Sequence, residues 1–136
     1  MSPTNLRLLV CLVMLGGPTL AHATCLTSVT ELKAEGIKTN WQETTMDDGK
    51  PLKIVIADGA NGLVYSASKA GEPWLTGDAA FCRSGNTTTV TLDNTKATEN
   101  VPLVTRMALP STLSAPIVND EIRLAGGAWR GTFVGR

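Results

Sequence analysis

From Leu52 onward, apolar residues recur at every second position in short runs separated by turn-forming residues, and this spacing restricts the fold more than any other feature. A period of two sends alternate side chains to opposite faces of an extended chain, so each run reads as a strand with one buried side. Leu52, Ile54 and Ile56 alternate with Lys53 and Val55. Asp58-Gly59-Ala60-Asn61-Gly62 then turns the chain into a strand from Leu63 to Ser68. Lys69-Ala70-Gly71-Glu72-Pro73 leads into Trp74 to Arg83, with Leu75, Ala79 and Phe81 on one face and Trp74, Ala80 and Cys82 on the other. Ser84-Gly85-Asn86 turns into Thr87 to Leu92, and Gly126-Gly127 separates Glu121 to Ala125 from Trp129 to Val134. Upstream, Asn40 to Met46 carries Trp41, Glu43 and Thr45 on one side and ends in the turn Asp47-Asp48-Gly49-Lys50.

Strands recurring roughly every 8 to 12 residues with tight turns predict a mainly β fold, a single antiparallel meander forming a small barrel or a sandwich. One short helix is expected over 28 to 35. Leu26, Val29 and Leu32 have helical spacing, Ser28 with Glu31 makes a capping box, and Gly36 is a C-terminal stop. The stretch from Asp93 to Asp120 fits the meander least. Val101, Leu103, Thr105, Met107 and Leu109 alternate as in a strand, while Pro102, Pro110 and Pro116 exclude a central sheet position. An edge strand followed by a long, partly apolar loop is the expectation.

The first 23 residues have the three parts of a secretory signal: Arg7, the apolar run Leu8 to Leu15, and the small-x-small site Ala21-His22-Ala23. The apolar run falls far short of the roughly 20 residues that span a bilayer. Ala23-Thr24 before Cys25 is a poor match to lipid-anchor processing. Cleavage after Ala23 divides the chain into a signal peptide, 1–23, and a single β-rich domain, 24–136, with no membrane span. The domain is expected in the periplasm or secreted. Removing Arg7 from twelve basic residues leaves eleven against twelve acidic ones, a balance that offers nucleic acid no basic stripe. Cys11 leaves with the signal, and the remaining pair, Cys25 and Cys82, reads as a structural disulfide in an oxidising compartment.

The single histidine, His22, also leaves with the signal, which removes imidazole catalysis and histidine-ligated metal from the mature domain. Ser66-Ala67-Ser68-Lys69 matches the S-x-x-K pattern of acyl-transferring serine enzymes, but that pattern works at a helix start and here comes after the strand-like Leu63-Val64-Tyr65. The acidic pairs Asp47-Asp48 and Asp120-Glu121 are sequence neighbours, which point to opposite faces of an extended chain and do not straddle a substrate. Asp58 to Gly62 lacks the further acidic ligands of a calcium loop. The reading is therefore a non-catalytic binder with no cofactor and no metal.

For binding, the aromatic residues Trp41 and Trp74 are candidates, together with Met107 and Arg106, the latter sharing a predicted strand face with Val104 and Ala108. If the sheet closes around a cavity, this set suits a hydrophobic or amphipathic small molecule. The alternative is a protein-binding inhibitor or immunity-type module acting on an exported enzyme, in which loops on a rigid frame make the contact. An exposed apolar patch on the Asp93 to Asp120 segment, in place of an enclosed cavity, separates the two.

Overall fold

A computed structural model describes residues 24–44, 49–127 and 129–136. The expected signal peptide, 1–23, the predicted strand and turn residues from Thr45 to Asp48, and Ala128 lie outside the described residues. Nine strands are described: β1 (Thr24–Leu26), β2 (Asn40–Glu43), β3 (Leu52–Gly59), β4 (Gly62–Lys69), β5 (Glu72–Ser84), β6 (Thr87–Ala97), β7 (Leu113–Pro116), β8 (Glu121–Gly126) and β9 (Trp129–Gly135). Two short helices, α1 (Val29–Ala34) and α2 (Leu103–Ala108), interrupt them.

The strands pair antiparallel in the spatial order β8-β9-β2-β3-β4-β5-β6-β7. The first and last of this series, β8 and β7, meet across a tight turn at the bridge between Val118 and Glu121. Of the two architectures compatible with the meander, the chain adopts a nearly closed barrel. Leu52, Ile54 and Ile56, the face expected to be buried, are buried, and so is the face shared by Leu75, Ala79 and Phe81; they form one cluster with Leu63, Tyr65, Ala67, Val90, Leu92, Leu113, Ala115, Ile122, Leu124 and Phe133. Burial of each large member contributes about 1.5–3 kcal/mol relative to exposure, which is how a mere alternation of side chains closes a sheet on itself.

Strand directions place the β3–β4, β5–β6 and β7–β8 turns at one end of the barrel. The β4–β5 turn, the β6–β7 connection and the β8–β9 turn lie at the other. Each end has an apolar plug. At the first, α1 brings Leu32 to complete burial. The helix is held there by its caps: Ser28 accepts from the Glu31 backbone N–H at 3.1 Å, and Asp58 accepts from the Val29 N–H at 2.8 Å. Its other terminus closes with Ile37 N–H donating to Leu32 O at 2.9 Å and Gly36 N–H to Lys33 O at 3.0 Å, with Gly36 at φ +75°, a conformation glycine adopts without strain. At the second end the plug is Val101, also fully buried.

The segment from Asp93 to Asp120 departs from its sequence expectation. β6 does not stop at Leu92 but runs on to Ala97, and residues 103–108 form a helix in place of the expected edge strand. The prolines explain the difference. Pro102, with φ fixed and no N–H to donate, stands at the N-cap of α2, where the missing donor costs nothing. Pro110 forces Leu109 into an extended conformation (φ −76°, ψ 126°) that ends the helix. Between them Leu, Arg, Met and Ala all favour helix. Pro116 does sit in a strand, as the last residue of β7 opposite Thr89.

Cys25 and Cys82 form a disulfide that joins β1 to the far half of β5, where β1 pairs Thr24 with Arg83 and Leu26 with Phe81.

Candidate functional site

The β6–β7 connection crosses the end of the barrel opposite α1 and is tied down at both of its own ends. At its start, Thr98 N–H donates to Trp74 O at 2.8 Å, and the Thr98 hydroxyl and Asn100 amide both donate to Pro73 O, at 2.7 and 2.9 Å. These bonds fasten residues 98–100 to the β4–β5 hairpin and press Val101 into the core. At its finish, Thr95 N–H donates to Ser111 O at 3.3 Å, and the Thr112 hydroxyl donates to the Asp93 carboxylate at 2.5 Å. That hydroxyl, helped by the Asn94 N–H, holds the Asp93 carboxyl below its ordinary pKa. Pro110 packs over Gly126, where a Cβ would come within 2.6 Å of the proline ring and 2.7 Å of the Leu113 side chain, so only glycine leaves room for the crossing.

Held in this way, α2 faces outward with the wrong side for a core helix. Leu103, Val104 and Met107 are 61%, 80% and 79% exposed, and no residue of the helix is buried. Positions 103 and 107 are one helical turn apart and 104 and 107 three residues apart, so the three form one apolar face. Thr105 and Ala108 are half-buried on the opposite face. Arg106 is exposed beside the triad. Among the described residues, only two further large apolar side chains stand as exposed, Val55 on the barrel wall and Val118 in the β7–β8 turn.

The four residues picked from sequence do not converge. Trp41 is a core residue, 2% exposed, whose indole N–H donates to Lys38 O at 3.1 Å, near the end of the barrel that α1 closes. Trp74 lies at the opposite end, half-buried, with the Lys69 ammonium 4.8 Å from its ring centroid. It shares that end with Arg106 and Met107, through the bond from Thr98 to its carbonyl. Arg106 and Val104 lie on a helix, so the strand face that linked them is replaced by a helical one. In sequence, Leu103 and Val104 stand out only as part of an apolar flap. The signal that identifies them is the pair of prolines, 102 and 110, bracketing a helix-favouring run.

Other chemistry-bearing residues are dispersed. Ser66 is exposed on the outer wall between Val55 and Thr76, its register partners, while Lys69 of the same motif is engaged by Trp74. Among the described residues, no group of three or more His, Cys, Asp or Glu side chains gathers in metal-binding reach. Asp58 to Gly62 forms the β3–β4 hairpin, with Asp58 capping α1. No helix among the described residues is long and apolar enough to cross a membrane. The chain matches no family model, no curated protein and no solved structure.

Proposed function

We propose that the domain is an exported, non-catalytic binding module that docks a protein partner through the outward face of α2. The observation that carries this reading is the exposure of Leu103, Val104 and Met107 on a helix within a connection that hydrogen bonds at Thr98 and Thr112, on either side of the helix, tie to the barrel. A short helix that packs only the half-buried Thr105 and Ala108 against the barrel gains little from tertiary packing, the usual source of helix stability. Burial of these side chains by a partner would recover about 1.5–3 kcal/mol for each one fully covered. The pre-ordered backbone lowers the entropic cost of docking. The interior supports a protein over a small apolar guest, because the barrel is filled by one side-chain cluster and both ends carry a plug. The disulfide fits an oxidising, exported environment, which would make the partner an exported protein, with an exported enzyme the class we propose.

A photo-crosslinking amino acid in place of Val104, activated in extracts of the native host, tests the reading. The expected result is one discrete protein adduct that disappears when Met107→Glu is added. Absence of an adduct, together with a small molecule that co-purifies in native mass spectrometry, would favour the small-molecule reading.

A further inference from the structure

At the end of the barrel opposite α2, we propose that the Cys25–Cys82 disulfide is a redox latch: its reduction releases β1 from β5 and uncovers the β5 edge while the barrel stays closed. The ladder between β4 and β5 ends at Val64 and Asp78, and β1 takes the vacated edge of β5 from Phe81 to Arg83. A crevice lined by Cys25, Leu26, Asn61, Leu63 and Ala79 marks the place where one neighbour hands over to the next. β1 has only three residues, and Thr24 and Cys25 are exposed. Leu26 alone is half-buried and packs against the core, and three cross-strand pairs with one such anchor are few for holding a strand without a covalent tie.

The residues immediately after β1 set a limit on the release. Thr27 N–H donates to the Glu31 carboxylate at 2.6 Å and Val29 N–H to Asp58 at 2.8 Å, and Leu32 is fully buried. Glu35 is also paired with Arg83. None of these contacts involves β1, so α1 and its plug stay seated and the hinge falls at Thr27. A dithiol reductant supplies the two electrons. Its two thiols become a disulfide, their two protons pass to the Cys25 and Cys82 sulfurs, and the Sγ–Sγ bond breaks. The released strand leaves a free sheet edge, the surface to which an extended polypeptide adds by backbone hydrogen bonds.

The geometry singles out the amides that report the event. The Cα atoms of Cys25 and Cys82 are 3.9 Å apart, the close spacing of a non-hydrogen-bonded pair. The ladder's hydrogen bonds therefore lie at the flanking pairs, so the Phe81 and Arg83 N–H groups face β1 while that of Cys82 faces β6. Hydrogen exchange followed by NMR on the full oxidised protein, before and after reduction with dithiothreitol, reads the difference. Phe81 and Arg83 should exchange at least about tenfold faster after reduction, with Cys82 and the β3 and β4 amides unchanged. The Cys25→Ser/Cys82→Ser variant should reproduce the reduced pattern without reductant. Loss of protection throughout the barrel in the reduced protein, or failure of the double variant to fold, would show that the disulfide holds the whole fold and overturn the latch. Unchanged exchange at Phe81 and Arg83 would overturn it equally.

Discussion

Tyr65 shows how much one side chain records of the fold around it. It points into the barrel wall at 2% exposure, with its hydroxyl 2.5 Å from that of Thr95. The neighbouring Gly77 has no room for a side chain, since a Cβ there would lie 2.7 Å from the tyrosine ring and 2.6 Å from Asp93 O. Burial pushes the phenol pKa above 10, the Thr95 bond opposes that shift, and the charges of Asp78 and Asp93 add to it. A raised pKa means that the folded state holds the proton more tightly than the unfolded chain. The stability it contributes is complete below about pH 10 and is lost as pH rises through the folded-state pKa. Thermal midpoints measured from pH 8 to 11 should therefore fall more steeply for the wild type than for Tyr65→Phe. The variant itself should lose about 0.5–1.5 kcal/mol at neutral pH, from the missing hydrogen bond to Thr95. Parallel alkaline profiles would remove the phenol from the explanation.

At the scale of elements, α2 and its approach separate docking from stability. Val101 is fully buried immediately before the helix, whereas Met107 is 79% exposed within it. Val101→Ala should cost about 1–3 kcal/mol in chemical denaturation, because it removes methyl groups from a filled interior. Met107→Lys and Val104→Lys should stay within about 0.5 kcal/mol of the parent. A large loss from either lysine variant would mean that the outward face packs on the barrel after all. Acid acts on the other end of the same connection. The Asp93 carboxyl is held low by Thr112 and Asn94, so that tie persists above the ordinary aspartate range and weakens as pH falls through the lowered value. These elements are unequally legible in the sequence. The β3–β4 and β5–β6 hairpins come from local alternation and turn residues, because each strand's partner lies a few residues away. α2 is hidden because Val101, Leu103, Thr105, Met107 and Leu109 alternate as a strand would, and prolines that break a sheet are equally suited to mark the ends of a helix. Trp41 and Trp74 cannot be told apart in sequence, since tryptophan in a half-buried strand has the same neighbours whether its ring faces the core or a barrel mouth.

On the scale of the whole molecule, the closure of the sheet depends on contacts no local pattern reveals. β9 pairs with β2, setting Phe133 against Glu43 and Gly135 against Trp41, so the last strand carries the β8–β9 hairpin round to the N-terminal edge of the meander, where β8 can approach β7. The Glu43 carboxylate, only 9% exposed, accepts the Leu52 N–H at 3.0 Å and ties β2 to the start of β3. The nearly closed barrel has an interior with two ends, one filled by Leu32 and the other by Val101. An eight-residue strand such as β3 is roughly 26 Å long at about 3.3 Å per residue, so plugs at opposite ends of the barrel lie well beyond the roughly 10 Å within which losses couple. Their losses should then be independent. Leu32→Ala should cost about 2–5 kcal/mol, and the Leu32→Ala/Val101→Ala double variant should lose the sum of the two single costs to within about 0.5 kcal/mol. Urea denaturation of the four proteins measures this directly. A double-variant loss well below the sum would mean that the first opening already lets water through the barrel, and that the two plugs guard a common channel in place of a continuous core.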